Sequence, residues 1–412
     1  MMKIFLAFLV CIAVFINTTN AQVNGCMDPL ATNYNSSATV NDGSCLYNPV
    51  SVSPTASFIL DDKLPETSGL IRWDNRIWTH NDSGSDTNIY KLDTLNGNIL
   101  QNYPLPGVKN TDWEEISQDA DFVYIGDFGN NANGNRTDLK ILRIDKNSIL
   151  TNSPTIETIN FSYSNQSDFS ATGSAKTDFD CEALIVSDDS IYLFTKQWVS
   201  EKTSVYSLPK TPGSYVAKLK STFDVQGLIT GATYLESKKL LVLCGYSKLL
   251  QPFIYLLYNF SGTDFFSGNK RKADVSLPFH QVEGIATTDG LKYYISNEKF
   301  TQQPINVSQK LHILNLSNIL GNYLDNLFNS TETQSFDNDL LFPNPAGDLI
   351  SVKSGKINFP ADYLILNQSN QIVSAGKLKT ENQRINISGL AAGIYILKMG
   401  GQNKQSFKVI KR

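Results

Sequence analysis

Apolar and polar positions alternate along most of this chain, and the alternating segments return in a fixed order. "ETSGLI" (66–71) leads into "NRIWTHND" and then "NIYKLD", and "DWEEIS" (112–117) leads into "DFVYIGD" and "LKILRID". The same order starts again at "DCEALI" (180–185), at "ITGATY" (229–234) and at "QVEGIA" (281–286). Each segment is short and reads with period two, as a half-buried strand does. A fourth such segment fills the gap between units: "ILQNYPL", "TINFSYS", "YVAKLKS" and "RKADVSL". Long amphipathic helical patterns are missing.

A four-strand unit recurring about every fifty residues predicts an all-β fold, a β-propeller. One blade cannot bury both of its faces, whereas a ring of blades can. The count is about five four-stranded blades, and the long interval between the second and third units leaves room for a sixth. "SFIL" (57–60) stands before the first unit and is expected to complete the last blade and close the ring. A two-sheet sandwich, the competing architecture, would not need a Glu repeated at one phase. The expected boundaries are a signal segment 1–21, a small Cys-bracketed module 22–50, the propeller 51–316, a linker 317–339 and a small β-sandwich 340–412.

The polar residues follow the same phase. If the motif strand is innermost, its start lies at one rim of the channel, and the antiparallel second strand ends at that same rim. One face then collects Glu66, Asn81 and Asp82; Asp112, Glu114, Asp127 and Asn130; Asp180, Glu182 and Lys196; Tyr246; and Gln281, Glu283, Asn297 and Glu298. Carboxylates converging on a channel mouth repel one another, so a cation, a neighbour such as Lys196 or Arg136, or protonation must offset the charge. With three histidines in the chain and an all-oxygen lining, Ca²⁺ or Mg²⁺ suits Glu66, Glu114, Glu182 and Glu283 better than zinc. An equal alternative makes each Glu a structural lock that accepts backbone N–H bonds from the next blade. The fourth unit has Thr230 and Gly231 where the Glu should be, which breaks the ring's symmetry.

The ends of the chain set its destination. Lys3 precedes an apolar run from Ile4 to Ile16 and then "NTTNA", the form of a secretory signal cleaved after Ala21. A membrane anchor needs about 20 apolar residues, so the mature chain is expected to have no membrane span. The net charge of -4 gives no footprint for nucleic acid. Cys26 and Cys45 bracket a segment too small to bury a core, which predicts a disulfide staple. Asp28, Asn33, Asn41 and Asp42 within it offer oxygens for a calcium ion as an alternative to a plain stapled knob. Cys181 and Cys244 sit in apolar runs and read as separate buried thiols.

Three resemblances follow from these motifs. The stretch from Cys26 to Cys45 is similar to short Cys-bracketed modules common in exported proteins of Bacteroidetes. "ETSGL", "DWEEI", "DCEAL" and "QVEGI" resemble the SdiA-regulated and NHL-type propellers over residues 55–316, and more distantly the esterase-like domains related to phytases. "FPNPAGD", "GLAAGIYILK" and "KVIKR" resemble the type A sorting domain of the type IX secretion system, over residues 340–412. That last resemblance implies handling by the type IX secretion machinery, passage across the outer membrane, and release or surface attachment.

Three functional readings remain. The first is a binding module for a glycan or other extracellular ligand, with Trp78, Trp113, Trp198 and Tyr246 available for stacking. The second is a metal-assisted hydrolase of phosphate esters or glycosides, with Asp112 and Glu114 as paired carboxylates. The third is a structural surface protein. His80, His280 and His312 lack a G-x-S-x-G companion, and "GNNANGNR" lacks the strand-to-helix setting of a phosphate loop.

Overall fold

The computed structural model describes residues 22–84, 86–321, 323–324, 340–353, 359–367, 371–380, 383–399 and 405–412. The predicted signal segment lies outside them. The chain divides into two compact units, Met1–Leu327 and Phe328–Arg412.

Within the first unit, the described residues form five blades of four strands, the fourth extended by the short strand Ser51–Val52. The innermost strands are Thr67–Trp73, Trp113–Gln118, Cys181–Val186, Leu228–Leu235 and Val282–Thr287. Each packs against the next, and the last packs against the first. The ring closes as the early segment predicts: Ala56–Ile59 pairs antiparallel with Lys310–Asn315, placing Phe58 opposite Leu311 in the fifth blade. The last blade thus takes strands from both ends of the propeller sequence. Residues 164–180, where a sixth blade had room, contain no strand. They fold over the neighbouring loop instead, with Ala175 N–H donating to Asn131 and Thr172 N–H to Asn133. The outer strands of blades two and three, Ile156–Tyr163 and Gly213–Asp224, pair in parallel across this gap.

The alternation works because each blade buries two faces, one on each neighbour. Trp78 and Trp113 join the cluster between blades one and two. Phe161 and Leu193 pack between two and three, Phe194 and Leu243 between three and four, and Val242 and Ile295 between four and five. Leu70 and Leu311 lie between five and one. At about 25 cal/mol per Å² of apolar area removed from water, these interfaces supply most of the driving force for the ring.

The Cys-bracketed module lies against blade four. Cys26 and Cys45 are bonded, and Asn41 Nδ2 donates to Asn269 Oδ1 at 2.9 Å. Asp28 accepts from the Tyr47 and Tyr258 hydroxyls at 2.7 and 2.5 Å. The oxygens considered for calcium here are engaged: Asn33 Oδ1 accepts from Leu46 N, Asn41 Oδ1 from Gly43 N, and Asp42 Oδ1 from Ser44 N. Cys181 and Cys244 are free and buried.

The segment expected to begin the linker is partly built into the propeller. Ile319, Leu320 and Leu324 are buried with the cluster between blades four and five, and Tyr323 Oη donates to Lys238 O at 3.0 Å. Residues 325–339 lie outside the described part. The second unit has a three-stranded and a four-stranded sheet among its described residues, around a core that includes Ile350, Ile365, Leu397 and Val409.

Candidate functional site

Every inner strand bulges at the same place. In blade two, Asp127 pairs with Trp113 and Gly126 with Glu115, leaving Glu114 unmatched. Glu182, Thr230 and Glu283 are left out in the same way in blades three, four and five. A bulge turns its extra side chain away from the strand's normal alternation. Here it turns Glu114, Glu182 and Glu283 into the channel mouth.

In blade one the bulge holds Ser68 and Gly69. The Glu phase read from "ETSGL" is therefore corrected: Ser68 occupies the ring position, and Glu66 stands two residues earlier, level with Asp112 and Asp180, with an exposed side chain. The two hydroxyl positions tie blades together. Ser68 Oγ donates to Glu114 O, and Thr230 Oγ1 to Val282 O at 2.5 Å.

The ends of the second strands return to this rim. A cavity of about 100 Å³ is lined by Ser68, Glu114, Glu182 and Glu283 from the inner strands. Asp82, Asn131, Lys196, Trp198, Tyr246, Gln281 and Glu298 complete its wall. Carboxylate oxygens of Asp82, Asp112 and Glu114 lie within 4.8 Å of one another, and so do those of Glu114, Asp180 and Glu182. Glu114 belongs to both groups. Gly129 makes the approach feasible, since a Cβ there would overlap both the Glu114 and Asp112 carboxylates.

Among the described residues, one lysine, Lys196, lines this cavity. Lys196 Nζ is 3.1 Å from Glu182 Oε1 and lies over the rings of Trp198 and Tyr246. Burial, followed by mutual repulsion, holds Asp82 and Glu114 well above the ordinary carboxylate range. Burial also raises Asp180 and Glu283 well above it, although Lys196 draws both back. Burial and then Asp180 push Asp112 up to about 6, and burial raises Glu298 to about 7 against the pull of Lys196. Asp82 Oδ1, Glu114 Oε1 and Glu283 Oε2 are buried with no hydrogen-bond partner. A buried polar atom without a partner costs roughly 1–3 kcal/mol, and more when charged.

Other expected site residues serve the frame. Asp127 is buried between Arg136 and Lys140, each at 2.8 Å. Asn130 donates its N–H to Asp180 Oδ1 at 2.5 Å and its side chain to Phe179 O. Asn297 holds His312 Nε2 at 2.8 Å, and the other ring nitrogen meets Ser57 Oγ at 2.7 Å, a stitch across three strands of blade five. Gln281 donates to the Tyr246 hydroxyl at 3.2 Å. Trp78 and Trp113, expected to face a ligand, are fully buried between blades; Trp198 is the tryptophan at the cavity.

The residue beside Glu114 behaves differently. Glu115 reaches across the channel to accept from Ala232 N at 2.8 Å and from Ile116 N at 3.0 Å, with Leu70 N also directed at it. Its carboxylate therefore joins blades one, two and four. A Cβ at Gly69 would overlap it. The structural lock considered from sequence is thus present at Glu115, while Glu114, one residue away, faces the cavity.

Comparison with known proteins adds one firm assignment. Residues 340–412 match the secretion system C-terminal sorting domain. Beta-agarase A of Zobellia galactanivorans is 33% identical over 67 residues, which are 16% of this chain and 12% of that enzyme. Among solved structures, a protein of unknown function from Dyadobacter fermentans aligns with a TM-score of 0.36 at 10% identity, over 64% of this chain and 99% of that one. A chain of a mitotic checkpoint complex aligns with a TM-score of 0.30 at 12% identity, over 63% and 93%. No helix among the described residues is long and apolar enough to cross a membrane. The tail is a type IX sorting domain, and it directs this chain to the cell surface or the extracellular space.

Proposed function

We propose that the propeller of this exported protein is a cation-dependent binding module, in which Ca²⁺ held at Glu114 presents an extracellular ligand such as a glycan to the funnel. The observation that carries this reading is the set of buried, unpartnered carboxylate oxygens on Asp82, Glu114 and Glu283. Asp112, Asp180 and Glu182 complete an all-oxygen donor set of the kind a hard cation takes. Calcium accepts six to eight oxygens, so positions would remain for ligand hydroxyls beside Trp198. The lock role does not account for these acids, because Glu115, Ser68 and Thr230 already perform it. Calorimetry with CaCl₂ on the secreted chain tests the reading: saturable binding is expected in the wild type and should be lost in Glu114→Gln. Absence of heat with calcium, magnesium and manganese alike would remove it.

A second reading rests on Glu298. It lies outside the donor groups that would hold the cation, and with a value of about 7 it exchanges a proton near neutrality, as a general acid or base beside a metal must. Chelator-sensitive cleavage of nitrophenyl phosphates or glycosides, with a bell-shaped pH profile, would favour hydrolysis over binding alone.

A further inference from the structure

The inner strands all run away from the funnel, so their C-terminal ends surround the opposite mouth of the channel. There a cavity of about 480 Å³ is lined by Arg72, Trp73, Gln118, Lys146, Tyr234 and Thr287, among others. That volume falls in the range of small-molecule sites. Its lining carries two cations, Arg72 and Lys146, beside two carboxylates, Asp74 and Asp119, where the funnel has one lysine among several acids. Among the described residues Arg72 makes no ion pair, its guanidinium forms no hydrogen bond, and its Nη1 is buried without a partner. The guanidinium carbon stands 5.4 Å from the Tyr294 ring centroid. Lys146 is 8% exposed and bonds only neutral oxygens, Gln118 Oε1 at 2.8 Å and Asp119 O at 2.6 Å.

The two carboxylates in the wall are committed elsewhere. Asp119 pairs with Lys210 at 3.1 Å and accepts from Tyr124 Oη at 2.9 Å. Asp74 pairs with Lys91 at 3.0 Å. Among the described residues, Arg72 and Lys146 therefore face one cavity without an ion pair, although Asp119 and Asp121 lie near enough to favour the charge on Lys146. Trp73 is half-buried, is backed by Trp78 at 4.3 Å between centroids, and has Lys146 Nζ 5.3 Å from its ring.

We propose that this mouth is a second ligand site, which takes a small organic anion, a carboxylate or sulfate ester carried on a sugar-sized ring held at the edge of Trp73. Arg72 supplies the planar fork that matches either oxyanion, and Lys146 a second positive charge. Burial lowers Lys146 to about 8, a shift that a bound anion would reverse. The site is independent of the funnel, because it shares none of the funnel's lining residues.

The test follows Trp fluorescence and calorimetry of the secreted chain with glucuronate, glucose 6-sulfate and glucose, in EDTA to keep divalent cations out. Both anionic sugars, or one of them, should bind saturably and about tenfold or more tighter than glucose, and added salt should weaken them. Preference for one anion identifies the head group. Arg72→Gln should cost about tenfold in affinity, Lys146→Gln a similar factor, and Glu283→Gln in the funnel nothing. The wild-type preference over glucose decides the matter even where a variant folds poorly. Equal binding of charged and neutral sugars, no saturation by either anion up to about 10 mM, or loss in Glu283→Gln but not in Arg72→Gln would overturn the proposal.

Discussion

Replacing Glu114 by Gln separates a metal site from a structural lock, because the two readings give opposite signs. Glu114 is 3% exposed. Burial first, and then Asp82, Glu182, Asp112 and Asp180, oppose its charge. Without a cation it must fold either protonated or with an uncompensated charge. Gln keeps the shape and removes the charge, so in chelator at about pH 8 the variant should be more stable than wild type. Asp112 in the same cluster gives the scale. A rise from 3.8 to about 6 corresponds to roughly 3 kcal/mol at about 1.4 kcal/mol per tenfold.

The sign in pH follows from proton counts. A carboxyl with a raised value holds its proton in the folded state where the unfolded chain has lost it. Stability is therefore highest below the ordinary carboxylate value and declines as pH rises through the folded-state value. For Asp112 that window runs from 3.8 to about 6, and for Glu298 from 4.5 to about 7. Metal-free wild type should lose stability across this range, and Glu114→Gln should lose less. Calcium reverses the order. At a hundredfold excess over Kd a bound ion adds about 2.7 kcal/mol, which for a domain of this size is about 5 °C in Tm. The variant should gain much less, so the two proteins change rank between EDTA and CaCl₂. Scanning calorimetry of the secreted chain at about pH 4.5 and about pH 8 reads all of this. If wild type ignores calcium and Glu114→Gln melts lower under every condition, Glu114 is a lock and the metal reading fails.

Two further outcomes are expected. Gly129→Ala should weaken calcium binding by about tenfold or more, because the new methyl displaces the Glu114 and Asp112 carboxylates; unchanged affinity by calorimetry would place the ion elsewhere. Deleting residues 340–412 should leave the propeller in the periplasm of its native host, since the sorting domain is lost; cell fractionation showing normal secretion would refute this.

The ring was legible in the sequence because its strands obey one period and its units one order, and even the closing segment could be placed from its isolation before the first unit. The shared face of the inner-strand starts and second-strand ends followed from antiparallel pairing alone. Side-chain direction at the bulge did not follow, since an extra residue breaks the period that the reading depends on. Glu66 was taken into the ring for that reason, while Ser68, which occupies the position, carries no chemical signal. Trp113 stands between Asp112 and Glu114 in sequence, yet it and Trp78 are buried on the face between blades one and two. The basic residues of the far mouth, Arg72 and Lys146, come from the end of the inner strand of blade one and from the residue after the third strand of blade two, Lys140–Asp145, a pairing that only the packing of neighbouring blades produces. Glu114 and Glu115 show the limit most sharply. They are adjacent and chemically identical, and no local pattern distinguishes them. One finds backbone N–H groups contributed by three blades, including Ala232 more than a hundred residues away. The other is left facing four carboxylates with an oxygen that finds no hydrogen-bond partner among the described residues. The first is explained by the fold alone; the second folds either protonated or beside a bound cation, and the stability series in chelator and in calcium separates the two.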